Sequence, residues 1–446
     1  MKEADIVVIG GSAAGIAAAI TARRHYPEKS ILVIRKEDQV LIPCGIPYIF
    51  GTVASPENNL IPDAVLDKNN VDLLIDKVED IKREDCTLSL ASGDSVSYDR
   101  LIIATGASPL MPPIPGFELD NVYTIKKDVN YLTELQEDLK DAERLVILGG
   151  GFIGVEFADE CNKLDWLDAT IVELLPHCLM LAYDEEFCTR AEALLSERGV
   201  DLRTKSKVAK FKGEKTVDSV QLEDGTELDA DAVIVAVGVR ANAELAEKAG
   251  LRLGPTGGVA VDRTMRTEDE RIFACGDCAE KFSFFGGKPS PLKLASIAAS
   301  EARIAGANLF ETRRENIGTV GVWSTCIGDT AFATAGLTEQ LAEKNGYSYV
   351  SGEAEAGNRH PGGMPGLHAM KVKLVFEKHT GEILGGTIMG GKAAGELINA
   401  ISACIQNRMT AEDIAVFQIG THPALTASPI AYQFVNAAES AAGQIR

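Results

Sequence analysis

Basic charge is in short supply: the chain sets 44 Lys and Arg against 65 Asp and Glu, for a formal net charge of −21. A field of that sign repels phosphate backbones and anionic lipid, which argues against nucleic acid and membrane surfaces as partners. Long apolar runs are missing as well, with nothing near the roughly 18 residues of a membrane span. The start, Met1-Lys2-Glu3-Ala4-Asp5, leads straight into Ile6-Val7-Val8-Ile9 and Gly10-Gly11. It lacks the longer apolar core and small-residue cleavage site of a secretory signal, so a cytoplasmic protein is the expectation. Cysteine is scattered, with nine residues at 44, 86, 161, 178, 188, 275, 278, 326 and 404. That odd, sparse set is not the framework of a small secreted domain; it fits a reducing compartment and one thiol of special use. Composition is otherwise ordinary for a globular protein, 46% hydrophobic and 24% charged, and 446 residues make about three domains at roughly 150 each.

What the chain has in quantity is short β-branched runs: 6–9 (IVVI), 31–34 (ILVI), 101–103 (LII), 145–148 (LVIL), 170–172 (TIV) and 233–237 (VIVAV). Runs without alternation suit strands buried on both faces, as in a parallel sheet covered by helices. Two of them open a strand–turn–helix–strand unit. One reads IVVIGGSAAGIAAAITARR and then ILVIRKE; the other reads RLVILGGGFIGVEFADE and then TIVEL. The expected fold class is α/β, with two doubly wound, Rossmann-like dinucleotide-binding domains. From about residue 315 the pattern changes. Residues 369–376 (AMKVKLVF) and 383–388 (ILGGTI) read as antiparallel strands about a turn at Thr380-Gly381, and amphipathic helices follow at about 393–408 and 427–439. This third region reads as an α+β module for assembly.

In the second unit Gly149, Gly151 and Gly154 sit between strand and helix. They allow the tight turn, close approach of a pyrophosphate and helix–strand packing, with phosphate at the helix N-terminus. Glu173 follows Gly154 by 19 residues, at the end of the next strand. An acid there accepts from a ribose 2′-hydroxyl and repels a 2′-phosphate, which favours NADH over NADPH. A glycine turn that packs without a ligand is the bland alternative, and the full context outweighs it. The first unit keeps Gly10 and Gly15 but has Ser12 at the middle position, still small enough for phosphate to approach. Where an acid is expected at the strand end stands Arg35, with Glu37 the nearest acid. Two further segments matter: 102–106 (IIATG), with Thr105 and Gly106, and 267–277 (TEDERIFACGD), which ends in Gly276-Asp277 and poises a carboxylate for polyol hydroxyls.

With these segments the chain resembles the pyridine nucleotide–disulfide oxidoreductases, flavoproteins with two dinucleotide-binding domains, over nearly its whole length. The resemblance implies FAD at Gly10, Ser12, Gly15, Thr105, Gly106, Gly276 and Asp277, with Arg35 and Glu37 near its adenosine end. It implies NAD(P)H at Gly149, Gly151, Gly154 and Glu173, with Phe152 gating the nicotinamide and Glu156 on the same helix beside it. Residues 232–242 (AVIVAVGVRAN), including Gly238, resemble the stretch by which the chain returns to the FAD domain. The implied domains are FAD-binding at 1–111 and 241–314, NAD(P)H-binding at 112–240, and a dimerisation domain at 315–446.

Among the cysteines, Cys275-Gly276-Asp277-Cys278 suggests a dithiol or half a zinc site, but no second pair or nearby histidine completes it, and no metal is expected. Cys44 differs. It lies in Pro43-Cys44-Gly45-Ile46-Pro47-Tyr48, read as a loop running into a helix whose N-terminus would stabilise a thiolate. The disulfide reductases of the family carry C-x4-C here, whereas this chain has Ile49 at the second position. The resemblance is therefore to the single-cysteine branch: CoA-disulfide reductases, NADH oxidases and peroxidases, and NAD(P)H persulfide or sulfur reductases. His422, in Thr421-His422-Pro423, resembles the family's acid/base histidine, although Ala427 stands where a glutamate orients that ring. The implied activity passes hydride from NADH through FAD to Cys44, which reduces a small disulfide or persulfide such as CoA disulfide, CoA persulfide or polysulfide. The alternative is an oxidase or peroxidase that reduces oxygen or hydrogen peroxide. CoA as a bound thiol and a homodimer are the remaining implications.

Overall fold

The computed structural model describes residues 2–445, which cluster into two compact units. The first combines residues up to Pro113 with Tyr123–Ala142 and Val237–Thr319. Its sheet runs in the order 72–75, 31–35, 2–9, 95–103, 87–90, 78–82, and strand Ile272–Ala274 adds to 95–103. The central strands are parallel, Val8 pairing with Val33 on one side and Ile102 on the other. All five residues of Ile31–Arg35 are buried, which accounts for a run that does not alternate. The far edge departs from the expected parallel sheet: 78–82, 87–90 and the start of 95–103 form an antiparallel meander. Helix Ala13–His25 packs against helix Ala295–Ala307 through small residues, among them Ala18, Ala22, Ala302 and Ala305. A Cβ at Gly306 would lie 2.5 Å from the Ala18 carbonyl oxygen, so the contact admits no side chain there. Helix Val129–Asp138 also folds with this unit, its Gln136 amide donating to the Ile49 and Ala54 carbonyls.

The second unit comprises Ile114–Val122, Glu143–Ala236 and residues from Val320 onward. Four parallel strands run in the order 201–203, 168–172, 144–148, 232–235, with Ile147 pairing Ile171 and Ile234. Three antiparallel strands, 208–212, 219–222 and 227–229, place Phe211, Val220 and Leu222 in one core with Val146, Val172 and Val233. The C-terminal part is a five-stranded antiparallel sheet in the order 322–327, 330–336, 383–390, 369–377, 349–357. The expected turn is present, with Gly381 at φ +73°. Helix Ala394–Gln406 is where the periodicity puts it, but the last helix spans Gln433–Ala442 and starts later than expected. Pro429 breaks the pattern: residues 429–431 form a 3-10 turn, and a proline inside the helix would have no N–H to donate.

Candidate active site

The two glycine turns share one geometry. Gly10 and Gly149 take φ of +111° and +108°, a left-handed conformation that releases each strand into its turn. A Cβ on Gly15 would lie 1.8 Å from the Gly10 carbonyl oxygen, and one on Gly154 would lie 1.9 Å from that of Gly149. Both helices therefore approach their strands only because these positions lack a side chain. Gly151 is different: a Cβ there would meet nothing within 4 Å. Ser12 and Gly151 cap helices 13–25 and 152–161 without a side-chain hydrogen bond to the first turn. Those N–H groups and the helix dipole are what an anionic pyrophosphate requires.

In the first unit, Gly276-Asp277 follows strand Ile272–Ala274, whose pairing with Leu101–Ile103 brings it beside the first turn. A Cβ on Gly276 would meet the Ala14 Cβ at 2.8 Å. Asp277 Oδ1 is buried without a hydrogen-bond partner, while Oδ2 lies 3.9 Å from Lys127 Nζ. A buried carboxylate oxygen left unsatisfied costs about 1–3 kcal/mol, so it fits a ligand that brings hydroxyl donors. The Thr105-Gly106 turn is locked by Asn242, which donates to the Thr105 carbonyl at 2.9 Å and to the Gly106 carbonyl at 3.0 Å. Strand Val239–Ala241, just after Gly238, pairs antiparallel with Ala107–Pro109. Arg35 is 2% exposed and donates to the Glu37 and Asp38 carbonyls and to both Asp63 oxygens. Its stem packs on the turn, since a Cβ at Gly11 would lie 2.5 Å from Arg35 Cδ. Arg35 thus shapes the loop with a guanidinium already engaged, and the Glu37 side chain lies near Lys36 at 3.9 Å.

In the second unit the Glu173 carboxylate accepts the Gly150 N–H at 2.5 Å and the Leu175 N–H at 2.6 Å, which ties the strand end to the phosphate turn. Nearby, Glu192 accepts from the Cys178 N–H and contacts His177, whose other nitrogen lies 3.6 Å from Glu185. Phe152 makes tilted ring contacts with Tyr183 and Trp323, with centroids 5.9 and 5.5 Å away. Burial pushes the Glu156 carboxyl up to about 7, against the lowering effect of a 3.1 Å hydrogen bond with the Thr325 hydroxyl.

Cys44 is exposed, whereas Cys161, Cys178, Cys188, Cys275, Cys278 and Cys404 are buried and Cys86 and Cys326 are half-buried. Burial pushes the Cys161 and Cys188 thiols up to about 12 and Cys275 well above its ordinary value. Cys44 does not open a long helix. Pro43–Gly45 and Pro47–Phe50 are two short 3-10 turns, because Pro47 cannot donate to a continuing ladder. A three-residue turn has little macrodipole, so the expected helix-dipole stabilisation of the thiolate is replaced by whatever local polar groups supply. Asn59 buttresses this turn by donating to the Ile42 carbonyl, and a Cβ on Gly45 would lie 2.0 Å from its Oδ1. Position 49, the second cysteine of C-x4-C proteins, is a fully buried isoleucine. In the second unit His422 is exposed, and its Nδ1 accepts the Ala424 N–H at 3.2 Å, which leaves the hydrogen of the neutral ring on Nε2. Among the described residues, no group of three or more His, Cys, Asp or Glu could hold a metal ion, and no helix is long and apolar enough to cross a membrane.

Lys127 and Asn59 escape a reading of motifs, since each acts through a charge or hydrogen bond to a residue well away along the chain. Asn242, which closes the 232–242 stretch, shows its grip on Thr105 and Gly106 only in the fold. Two glycine turns at uncapped helix starts, with a buried, unpartnered carboxylate oxygen beside the first, fit a flavoprotein that also takes a pyridine nucleotide. The chain belongs to the pyridine nucleotide–disulphide oxidoreductase family, matched over residues 4–302, with that family's dimerisation domain at 322–430. It is an NAD(P)H-dependent flavoprotein oxidoreductase with FAD as its second cofactor. An NADH oxidase of Methanocaldococcus jannaschii is 30% identical over 424 residues, covering 92% of each chain. A CoA-dependent NAD(P)H sulfur oxidoreductase of Pyrococcus furiosus is 32% identical, covering 93% of this chain and 94% of its own. The structure of an NAD-dependent persulfide reductase from A. fulgidus matches with a TM-score of 0.90 at 32% identity, covering 98% of this chain and 82% of that one.

Proposed function

We propose that the protein uses NADH to reduce small disulfide or persulfide sulfur, with Cys44 as the attacking thiolate. The observation that carries this reading is that the exposed cysteine stands in a braced turn with buried Ile49 where a partner cysteine would be. A thiolate there attacks an S–S bond of a substrate RS–SR′, forms Cys44–S–SR and releases R′S⁻; two electrons and a proton then return Cys44 and RSH. Bound FAD supplies the conduit that carries the two electrons of a nicotinamide hydride to that sulfur. In the first unit the turn at Gly10–Gly15 would hold the FAD pyrophosphate, Asp277 would accept from its ribitol, and Thr105 and Gly106 would support the flavin-side turn. In the second unit the turn at Gly149–Gly154 would hold the pyrophosphate of NADH. Phe152 and Glu156 flank the nicotinamide. Glu173, with Glu185 and Glu192 nearby, supports NADH over NADPH by repelling a 2′-phosphate. His422, once protonated to the imidazolium, donates the proton to the leaving thiolate. The dimerisation domain supports a homodimer, CoA is the thiol carrier favoured by the sulfur-reducing relative, and cytoplasm is the compartment.

Cys44→Ser tests the reading. The variant should keep bound FAD and its bleaching by NADH while turnover of CoA disulfide, CoA persulfide and polysulfide falls at least 100-fold. Full turnover would sink the assignment. The second reading, an NADH oxidase, is favoured by the M. jannaschii relative; it requires oxygen or peroxide reduction by the wild type at rates exceeding those with the sulfur acceptors.

A further inference from the structure

The peptide that precedes Asp277 is gripped by a buried ion pair. Lys281 Nζ lies 3.0 Å from Glu301 Oε2, and both side chains are 2% exposed. Glu301 Oε2 also accepts the Gly276 N–H at 2.9 Å, and Lys281 Nζ donates to the Gly276 carbonyl at 2.6 Å. A further bond from Lys281, 3.2 Å to the Ala279 carbonyl, spans the rest of the turn. Gly276 is thus held on both of its polar groups, at a φ of +79° that few other residues adopt.

A fully buried pair is a poor device for stability, because desolvation of both charges offsets their attraction. Its location suggests a different use. Asp277 Oδ1 and Glu301 Oε1 are both buried without hydrogen-bond partners, and they lie close enough for the Asp277 charge to act on Glu301. An unsatisfied carboxylate oxygen one residue beyond a doubly anchored peptide describes a receptor prepared for hydroxyl donors. We propose that Lys281 and Glu301 are positioning residues for FAD, fixing the Gly276 peptide so that the Asp277 carboxylate is aimed at the ribitol before the cofactor arrives. This rests on the assignment of Asp277 to FAD made above.

The FAD-loaded protein is used for the test. The rate of FAD release is followed by the rise of free-flavin fluorescence, beside thermal unfolding of the apoprotein. Lys281→Met with Glu301→Gln replaces the pair by a neutral couple, an exchange that often leaves stability unchanged. The amide introduced at position 301 still has an oxygen for the Gly276 N–H, but the Gly276 carbonyl loses its donor. FAD release at least tenfold faster, with the apoprotein still folded and unfolding cooperatively above the assay temperature, is the expected result. Wild-type release in the double variant overturns the proposal. Should the double variant not fold, Lys281→Gln with Glu301→Gln, which removes both charges but keeps a polar group at each position, decides in the same way, with the circular dichroism of its apoprotein as the control. Asp277→Ala separates the two assignments. Unchanged release in Asp277→Ala removes Asp277 from the flavin site, whereas fast release there with slow release in the double variant removes only the positioning role.

Discussion

Replacing Gly154 by alanine isolates the second glycine turn, the one proposed to hold the NADH pyrophosphate. The new Cβ would stand 1.9 Å from the Gly149 carbonyl oxygen, where real Cβ atoms essentially never come within 3.0 Å. The obstructing atom is backbone and cannot swing aside, so the helix start must move about 1.1 Å from the turn. A misplacement of about 1 Å in a positioned reactant costs on the order of 100-fold in rate. We expect kcat/KM for NADH to fall about 100-fold, equivalent to roughly 2.7 kcal/mol of lost transition-state stabilisation. The first turn lies in the other compact unit, so the FAD content of Gly154→Ala should equal that of wild type. Gly15→Ala, with its Cβ 1.8 Å from the Gly10 oxygen, should do the opposite and lose FAD. Stopped-flow bleaching of the flavin band by NADH, with FAD quantified after denaturation, measures both. Wild-type bleaching in Gly154→Ala, or loss of its FAD, would refute the division of the two turns between two cofactors.

Burial raises the Glu156 carboxyl from an ordinary 4.5 to about 7, so the folded protein keeps a proton that the unfolded chain releases. Stability attributable to this group falls as pH rises through that window; Glu156→Gln should be about 3 kcal/mol more stable than wild type at pH 8 and equal to it at pH 4. Urea denaturation at both pH values checks this, and a difference independent of pH refutes it. Ile430, in the 3-10 turn 429–431, is 89% exposed, and Leu425, five residues earlier, is 68% exposed, both within the dimerisation domain. Burying one isoleucine yields roughly 1.5–3 kcal/mol, counted twice across a twofold interface, so Ile430→Glu should raise the dimer dissociation constant at least 100-fold. Light scattering over a dilution series that finds equal dimer in both proteins would exclude this face from the interface.

The repeated plan is legible in the sequence because its signals are local. Apolar runs without alternation become buried parallel strands, and glycines at fixed spacing become turns in which a Cβ has no room. Cys44 is distinguishable by its prolines and by Ile49. Other features depend on residues that meet only after folding. Arg35 reads as a ligand-facing substitution, yet its guanidinium is engaged with Asp63, 28 positions away. Lys281 and Glu301 occur in unremarkable contexts and gain meaning only where helix 295–307 crosses the Gly276 turn. The antiparallel edge of the first sheet is obscured by short segments whose periodicity fits more than one structure, whereas the late start of the last helix is marked by Pro429 and masked by the apolar periodicity around it.

The discontinuous first unit also imposes a schedule on synthesis. Strand Ser95–Ile103 emerges from the ribosome long before Ile272–Ala274, which pairs with its Leu101–Ile103 end, and helix 13–25 waits for helix 295–307. At 5–20 residues per second, the interval between Pro113 and Thr319 lasts about 10–40 s. Throughout it, a bare apolar strand edge and an uncovered alanine face are open to pairing with other nascent chains. The parallel strands between 144 and 235 are all made in that time, so the glycine turn translated first belongs to the later-completed of the two parallel sheets. The Leu101–Ile103 edge of this nascent chain therefore waits for its parallel partner until residue 274 has been made.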